Sequence, residues 1–124
     1  MIKRGRILRK SKNIREMVSE NKLHLDNLIQ PIFLISGNNK REKIKTMEGI
    51  ERKSIDLQIK DIKKMVSLGI KSIIIFPSIE ENKKNKNATE ALNPKGLIPK
   101  AIKKIKKEFP ELVLITDIAR DPYN

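Results

Sequence analysis

The sequence predicts an α/β fold built on parallel strands, and two observations support this prediction. Three short apolar segments, at residues 29–35, 71–77 and 112–118, have the length of buried strands rather than of helices. Two segments with a helical spacing of apolar residues lie between them, at residues 54–69 and 94–109. This alternation is typical of parallel strands joined by right-handed crossovers. The 124 residues, 38% of them hydrophobic, suit one domain with a sizeable core.

The first dozen residues differ from the rest because they are basic and have little to bury by themselves. The lysines and arginines of the first twelve residues are Lys3, Arg4, Arg6, Arg9, Lys10 and Lys12. Ser11 can cap a short helix that continues to about Asn21, with its apolar side chains on one face. We therefore expect residues 1–27 to form an amino-terminal arm that packs on another surface, and residues 28–124 to form the main domain.

The first predicted strand covers residues 29–35. Pro31 lies near its beginning, where a missing N–H group is tolerated. Residues 36–52 are polar and interrupted by glycine, which predicts a loop with a short extended piece around residues 44–47.

The first long helix is predicted to begin at Ser54, a residue type that caps helices, and to end at Gly69. Asp56 lies in the first turn, where a negative charge is favourable to the helix dipole. Four apolar residues recur at intervals of four, three and four and predict a buried stripe: Ile55, Ile59, Ile62 and Val66. The second strand follows directly and is continuously apolar, as parallel strands covered on both faces are.

Residues 78–93 form a polar segment without a pattern that would build a core. Structureless segments of this length are uncommon in compact domains, so we expect a functional loop. The second long helix is predicted to start near Pro94 and to end before Pro110, and its inward residues are Leu97, Ile98, Ala101, Ile102, Ile105 and Phe109. The third strand, residues 112–118, follows it.

Two architectures share this order of elements, an open doubly wound sheet and a closed barrel. No glycine-rich turn follows Ile35 or Ile75, which disfavours nucleotide binding. In a barrel, catalytic groups lie where strands end, and the third strand delivers Thr116, Asp117 and Asp121 to that edge. An aspartate at this position can equally cap the next turn, and the residues alone leave that choice open.

The formal net charge of +13 favours nucleic-acid binding as an alternative class of function. Only four aromatic residues occur, and three of them lie in apolar segments rather than beside basic ones. We therefore do not expect nucleic acid as the main partner. The chain has no cysteine and no apolar run long enough to span a membrane, so we expect a cytoplasmic protein with no membrane partner.

Five segments together resemble the 5-aminolevulinate dehydratase (porphobilinogen synthase) family. Their order and spacing give the resemblance its strength, since each segment alone is short. They are Arg4-Gly-Arg-Ile-Leu-Arg9, Leu28-Ile-Gln-Pro-Ile-Phe33, Gly69 with Ile75-Phe-Pro77, Thr89-Glu-Ala-Leu-Asn-Pro-Lys-Gly-Leu97 and Thr116-Asp-Ile-Ala-Arg-Asp-Pro-Tyr123.

The resemblance implies the first three strands of a TIM (β/α)8 barrel, preceded by an extended basic arm that joins subunits into a homo-oligomer. It also implies a hydro-lyase that condenses two molecules of 5-aminolevulinate into porphobilinogen, with loss of two waters, on the route to haem. Lysines of the family form Schiff bases with the substrate ketones. None of the 21 lysines in this chain matches those positions.

The resemblance further assigns Asp117 as the active-site carboxylate on the third strand, where it would position the substrate amine and transfer protons. Zinc-dependent relatives have cysteine ligands where this chain has Ala119 and Asp121. We therefore do not expect zinc there, and we expect magnesium or another hard cation, with Asp121 as a weak candidate ligand. An Asp-Pro turn explains Asp121 equally well.

Three strands cannot close a barrel of eight, so the chain is expected to be an incomplete barrel that lacks a carboxyl-terminal part. Alone, we expect it to be inactive and to associate or dissolve poorly, because its sheet edges would be unpaired. A decayed, non-functional remnant of a dehydratase is the other alternative.

Overall fold

A computed structural model describes residues 5–117, 119 and 121–124 of the chain. Its strands are β1 (Gln30–Ile35), β2 (Arg41–Lys43), β3 (Glu51–Lys53), β4 (Ser72–Ser78) and β5 (Val113–Thr116). Its α-helices are α1 (Lys12–Met17), α2 (Ile55–Ser67) and α3 (Leu97–Glu108). The predicted α/β fold is confirmed. Ile118, the last residue of the predicted third strand, and Lys3 and Arg4 of the predicted arm lie outside the described residues.

The strands form one open sheet in the order β2-β3-β1-β4-β5. The three predicted strands are β1, β4 and β5, and they pair in parallel as expected. Strand β3 is also parallel to β1, while β2 is antiparallel to β3. The carboxyl ends of β1, β3, β4 and β5 therefore lie at one edge of the sheet.

The prediction that residues 36–52 form a loop with an extended piece at 44–47 is wrong. Residues 44–50 form the turn of a hairpin, closed by a hydrogen bond from Ile44 N–H to Ile50 C=O, and the strands β2 and β3 flank that turn. The strands are joined by ion pairs, Arg41 with Glu51 at 3.8 Å and Arg52 with Glu42 at 3.2 Å. Charged residues are tolerated because β2 is an edge strand.

Helices α2 and α3 cover one face of the sheet. The buried residues of that face are Ile32, Leu34, Ile73 and Ile75, and they pack against Ile62 of α2 and Ala101 and Ile105 of α3. Every residue predicted to point inward from α3 belongs to this core or packs against it, although the helix begins at Leu97 rather than near Pro94.

Helix α2 follows its predicted bounds but differs in two details. Val66 is 39% exposed, and Met65 packs against the core in its place. Ser54 precedes the helix as predicted, but its side chain makes no capping bond, because its hydroxyl accepts from the Lys40 N–H at 2.9 Å. Gly69 ends the helical segment at a φ of +95°, a left-handed conformation that suits glycine.

The described part of the predicted arm, residues 5–27, lies at the surface. Ser11 caps α1 as predicted, through a 3.3 Å bond from Ile14 N–H, but the helix ends at Met17 rather than near residue 21. This segment contacts the connection between α2 and β4, where Asp26 pairs with Lys71 at 2.6 Å and Leu25 lies beside Gly69. The division of the chain at residue 27 stays a prediction.

The second face of the sheet, which we call the open face, is not covered by α2 or α3. Its side chains alternate with those of the core, and they include the half-buried Phe33, Ile74, Phe76 and Ile115. The rings of Phe33 and Phe76 are stacked, with centroids 5.6 Å apart and planes at 25°. No helix of the described residues is long and apolar enough to cross a membrane.

Candidate active site

A cavity of about 350 Å³ lies at the carboxyl ends of β4 and β5. Its walls come from these two strand ends, from the loop that follows β4, from the first turn of α3 and from the segment after β5. They are mainly apolar, and Glu90, Thr116, Asp117 and Tyr123 contribute polar groups. The structure therefore places a pocket at the sheet edge where the sequence predicts catalytic residues.

Asp117 is the first residue after β5, and it lines this cavity with an exposed side chain. Thr116 and Ala119 line the same cavity. Asp121 is exposed, does not line it, and begins a single 3₁₀ turn, Asp121–Tyr123. The structure thus brings Asp117 and Thr116 to the pocket and leaves Asp121 outside it.

The loop after β4 is not structureless, contrary to the prediction for residues 78–93. It contains two 3₁₀ helices, Glu81–Lys83 and Thr89–Leu92. Between them, the side-chain oxygen of Asn85 accepts from the N–H groups of Asn87 and Thr89, at 3.1 and 3.2 Å. Its backbone N–H donates to the carbonyl of Tyr123 at 3.1 Å. Asn85 therefore fixes the loop and ties it to the segment that follows β5.

Glu90 and Tyr123 are pocket residues that the sequence did not single out as a site. The Glu90 carboxylate accepts from the Asn93 side-chain amide at 3.0 Å, just before α3. Burial raises the pKa of the Tyr123 phenol above 10.0, and the negative charge of Glu90 raises it further. A hydroxyl on this side of the pocket consequently stays neutral over the whole physiological range.

Gly96 shapes part of the pocket wall, because the atoms around it leave no room for a side chain. A Cβ atom there would lie 3.0 Å from the Asn93 carbonyl oxygen and 3.3 Å from a Glu90 carboxylate oxygen. The glycine of the segment Asn93-Pro-Lys-Gly96 thus allows the chain to turn tightly into α3 beside Glu90.

Metal ligands are sparse in this region. Over residues 5–117, 119 and 121–124, no group of three or more His, Cys, Asp or Glu side chains is arranged to hold a metal ion. Asp121 offers one exposed carboxylate and Ala119 offers no ligand atom. These residues do not by themselves make a magnesium or zinc site, and the metal role of Asp121 stays a prediction.

A mainly parallel sheet with a pocket at its carboxyl edge, lined by a carboxylate from a strand end, is the arrangement of the α/β folds whose ligand sites lie on the βα loops. The sequence profile described as delta-aminolevulinic acid dehydratase matches residues 2–124. The chain belongs to the delta-aminolevulinic acid dehydratase family, as its motifs predicted.

Individual relatives agree with this assignment. The dehydratase of Bradyrhizobium diazoefficiens is 43% identical over 120 residues, covering 97% of this chain and 34% of the relative. The dehydratase of Bacillus subtilis is 40% identical over 114 residues, covering 92% of this chain and 35% of that relative. The chain therefore spans about a third of the length of these relatives.

A solved structure shares the fold. The porphobilinogen synthase of Toxoplasma gondii, determined in complex with its reaction product porphobilinogen, superposes with a TM-score of 0.92 at 35% identity. The match covers all of this chain and 35% of that one. The open five-stranded sheet is thus found within a larger enzyme of this family.

Proposed function

We propose that this chain supplies the first strands of a (β/α)8 barrel in a porphobilinogen synthase. That enzyme would condense two molecules of 5-aminolevulinate to porphobilinogen with loss of two waters, in the cytoplasm. The observation that supports this most directly is the position of Asp117 in the cavity at the carboxyl ends of β4 and β5, within a family match over residues 2–124.

Asp117 is the chemical group that this segment would contribute. Its carboxylate lies among apolar walls formed by residues such as Phe76 and Pro122, and a negative charge in such surroundings attracts an ammonium group. It would hold the substrate amine in place and accept or return a proton during condensation. The Schiff-base lysines of the family would come from outside these 124 residues, so the chain alone would not complete the reaction.

The exposed apolar residues of the arm support a role in assembly. Ile7, Met17 and Leu23 are 75%, 78% and 81% exposed, which is a large apolar surface for so short a segment. We propose that residues 1–27 pack on a neighbouring subunit of a homo-oligomer.

Magnesium remains the metal we propose for the assembled enzyme, with Asp121 as one ligand and the others from elsewhere.

The test is a reconstitution assay. The chain is produced together with the part of the Bradyrhizobium diazoefficiens dehydratase that follows its matched 120 residues, and porphobilinogen formation from 5-aminolevulinate is measured. We expect product only when both parts are present, and a loss of about 10²- to 10⁴-fold with Asp117→Asn. Glu111→Gln, an exposed change in the turn before β5, is the matched control. Full activity with Asp117→Asn would remove the basis of the proposal.

A further inference from the structure

The outer surfaces of α2 and α3 carry a group of exposed lysines, which we call the lysine face. The two helices cover the same face of the sheet, where Ile62 of α2 and Ile105 of α3 belong to one buried core. Because both helices connect parallel strands, they run in the same direction, with axes about 10 Å apart. The members of the lysine face are Lys60, Lys63, Lys64, Lys100, Lys103, Lys104 and Lys107.

The lysine face differs from the other basic parts of the chain because carboxylates do not neutralise it. Elsewhere a basic side chain has an acidic partner, as Lys71 has in Asp26 at 2.6 Å. Over residues 5–117, 119 and 121–124, no lysine of the face makes an ion pair. Within the helices, Asp61 pairs with Lys53 of β3, and α3 has one acidic residue, Glu108. A concentrated positive charge therefore remains on this surface.

The composition of the lysine face narrows the class of partner. Lysine is depleted at the centres of protein interfaces, and two copies of this face would repel each other. Exposed large apolar residues are limited to Val66 and Leu68, at the carboxyl end of α2, so the face lacks an apolar row to insert into a membrane. The partner that suits such a surface is a polymer of phosphates.

A nucleic-acid duplex fits the lysine face better than a single strand does. Single strands are held by bases that stack on aromatic rings, and neither helix contains an aromatic residue. A duplex instead presents phosphates on a stiff surface, and lysines contact them as single charges.

The geometry of the two helices also agrees with a duplex. Lys100, Lys103 and Lys107 make a row about 10 Å long on α3, at about 1.5 Å per residue, and Lys60 and Lys64 lie on the parallel helix. Rows about 10 Å apart can reach phosphates on the two sides of one groove, because the grooves of B-form DNA are about 6 and 12 Å wide.

We propose that the lysine face binds the phosphate backbone of duplex nucleic acid without reading its sequence. Lysine charges attract phosphates whatever the bases are, so DNA and RNA duplexes share the chemistry. The inference goes beyond the proposed function and needs neither Asp117 nor the rest of a barrel, so each of the two can fail without the other.

Two variants of equal charge test where a duplex binds. The helix variant combines Lys60→Gln, Lys63→Gln, Lys103→Gln and Lys107→Gln. The matched control variant changes four lysines that have carboxylate partners, and it combines Lys12→Gln, Lys71→Gln, Lys83→Gln and Lys84→Gln. Each variant loses four lysines, so the net charge falls from +13 to +9 in both (13 − 4 = 9). Glutamine forms helices about as well as lysine, and far-ultraviolet circular dichroism checks that both variants fold.

Binding of the 124-residue chain is measured by fluorescence anisotropy at several salt concentrations. The probes are a short DNA duplex, an RNA duplex of the same sequence and the single DNA strand. We expect similar affinities for the two duplexes and a weaker one for the single strand. If about four lysines contact phosphates, the logarithm of the DNA-duplex binding constant should fall with a slope of about −3.6 against the logarithm of the salt concentration. That slope corresponds to a loss of about 100-fold between about 50 and 200 mM salt.

The two variants should differ in this slope. We expect the helix variant to make it shallower by about 3 and to weaken duplex binding more than about tenfold at about 100 mM salt. The control variant should change the slope by less than about 1.

Three results would overturn the inference. Equal losses in the two variants would show that binding follows the net charge and not the lysine face. A single strand that binds as tightly as the duplex would exclude recognition of a duplex backbone. If the unsubstituted chain binds no duplex at about 50 mM salt but binds vesicles of phosphatidylserine and phosphatidylcholine, the partner is a membrane surface instead.

Discussion

Ile105 lies at the centre of the contact between α3 and the sheet, and its replacement by alanine tests the packing that holds the pocket wall in place. The side chain is fully buried, with 0% exposure. Ile105→Ala removes three carbon atoms, which costs about 2.4 kcal/mol at about 0.8 kcal/mol for each buried CH₂ group. The cavity left behind adds to this cost, so we expect the free energy of unfolding to fall by about 3–4 kcal/mol.

The assay is urea unfolding followed by far-ultraviolet circular dichroism at one fixed protein concentration, because association shifts apparent stability. Leu68→Ala is the matched control: Leu68 directly follows α2 and is 72% exposed, and its replacement should change the stability by less than about 0.5 kcal/mol. A loss below about 1 kcal/mol for Ile105→Ala, or one equal to the control, would refute the assignment of Ile105 to a close-packed core.

Two further predictions concern Tyr123 and Gly69. Tyr123 is the only tyrosine and the chain has no tryptophan, so ultraviolet absorbance reports its ionisation alone. Its pKa is raised by burial and by Glu90, so Glu90→Gln should lower the pKa part of the way towards 10.0; an unchanged or higher pKa would contradict this. Above about pH 10 the unfolded chain releases the Tyr123 proton while the folded chain still keeps it. The contribution of Tyr123 to the free energy of unfolding should therefore be full below about pH 10 and be lost as the pH rises through the folded-state pKa. Urea unfolding at several pH values measures this loss. Gly69→Ala should cost about 1–2 kcal/mol in urea unfolding, because alanine is strained at a φ of +95°. The second change Leu25→Ala removes the methyl group 2.9 Å from the new Cβ position and should restore only a small part of the lost stability. Full restoration of the stability would show that crowding, rather than backbone strain, causes the loss.

The buried elements could be predicted from the sequence because they depend on apolar spacing. Leu97, Ala101 and Ile105 repeat at the period of a helix, and the run Ile73–Phe76 is continuously apolar, as a covered parallel strand requires. Residues 41–43 and 51–53 gave no such signal, since each of those strands consists of charged residues that pair with one another at the sheet edge.

The site could be predicted only in part, because contacts between residues far apart in the chain leave no regular spacing in the sequence. The position of Asp117 at the pocket could be predicted because it directly follows a recognisable strand, while its catalytic role stays a proposal. Glu90 and Tyr123 come together through the hydrogen bond from Asn85 N–H to the Tyr123 carbonyl, which joins residues 38 positions apart and leaves no periodic pattern.

The position of β1 in the sheet has a consequence for synthesis on the ribosome. Strand β1 is made first, yet both of its partners come later in the chain: β3 begins at residue 51 and β4 at residue 72. Its apolar residues 32–35 must therefore emerge without a strand to pair with, and a nascent chain in that state is open to contacts with other chains. Strand β3 pairs only with Phe33 and Leu34, so most of β1 stays unpaired until β4 has emerged, and a pause in translation before residue 72 would prolong that exposure.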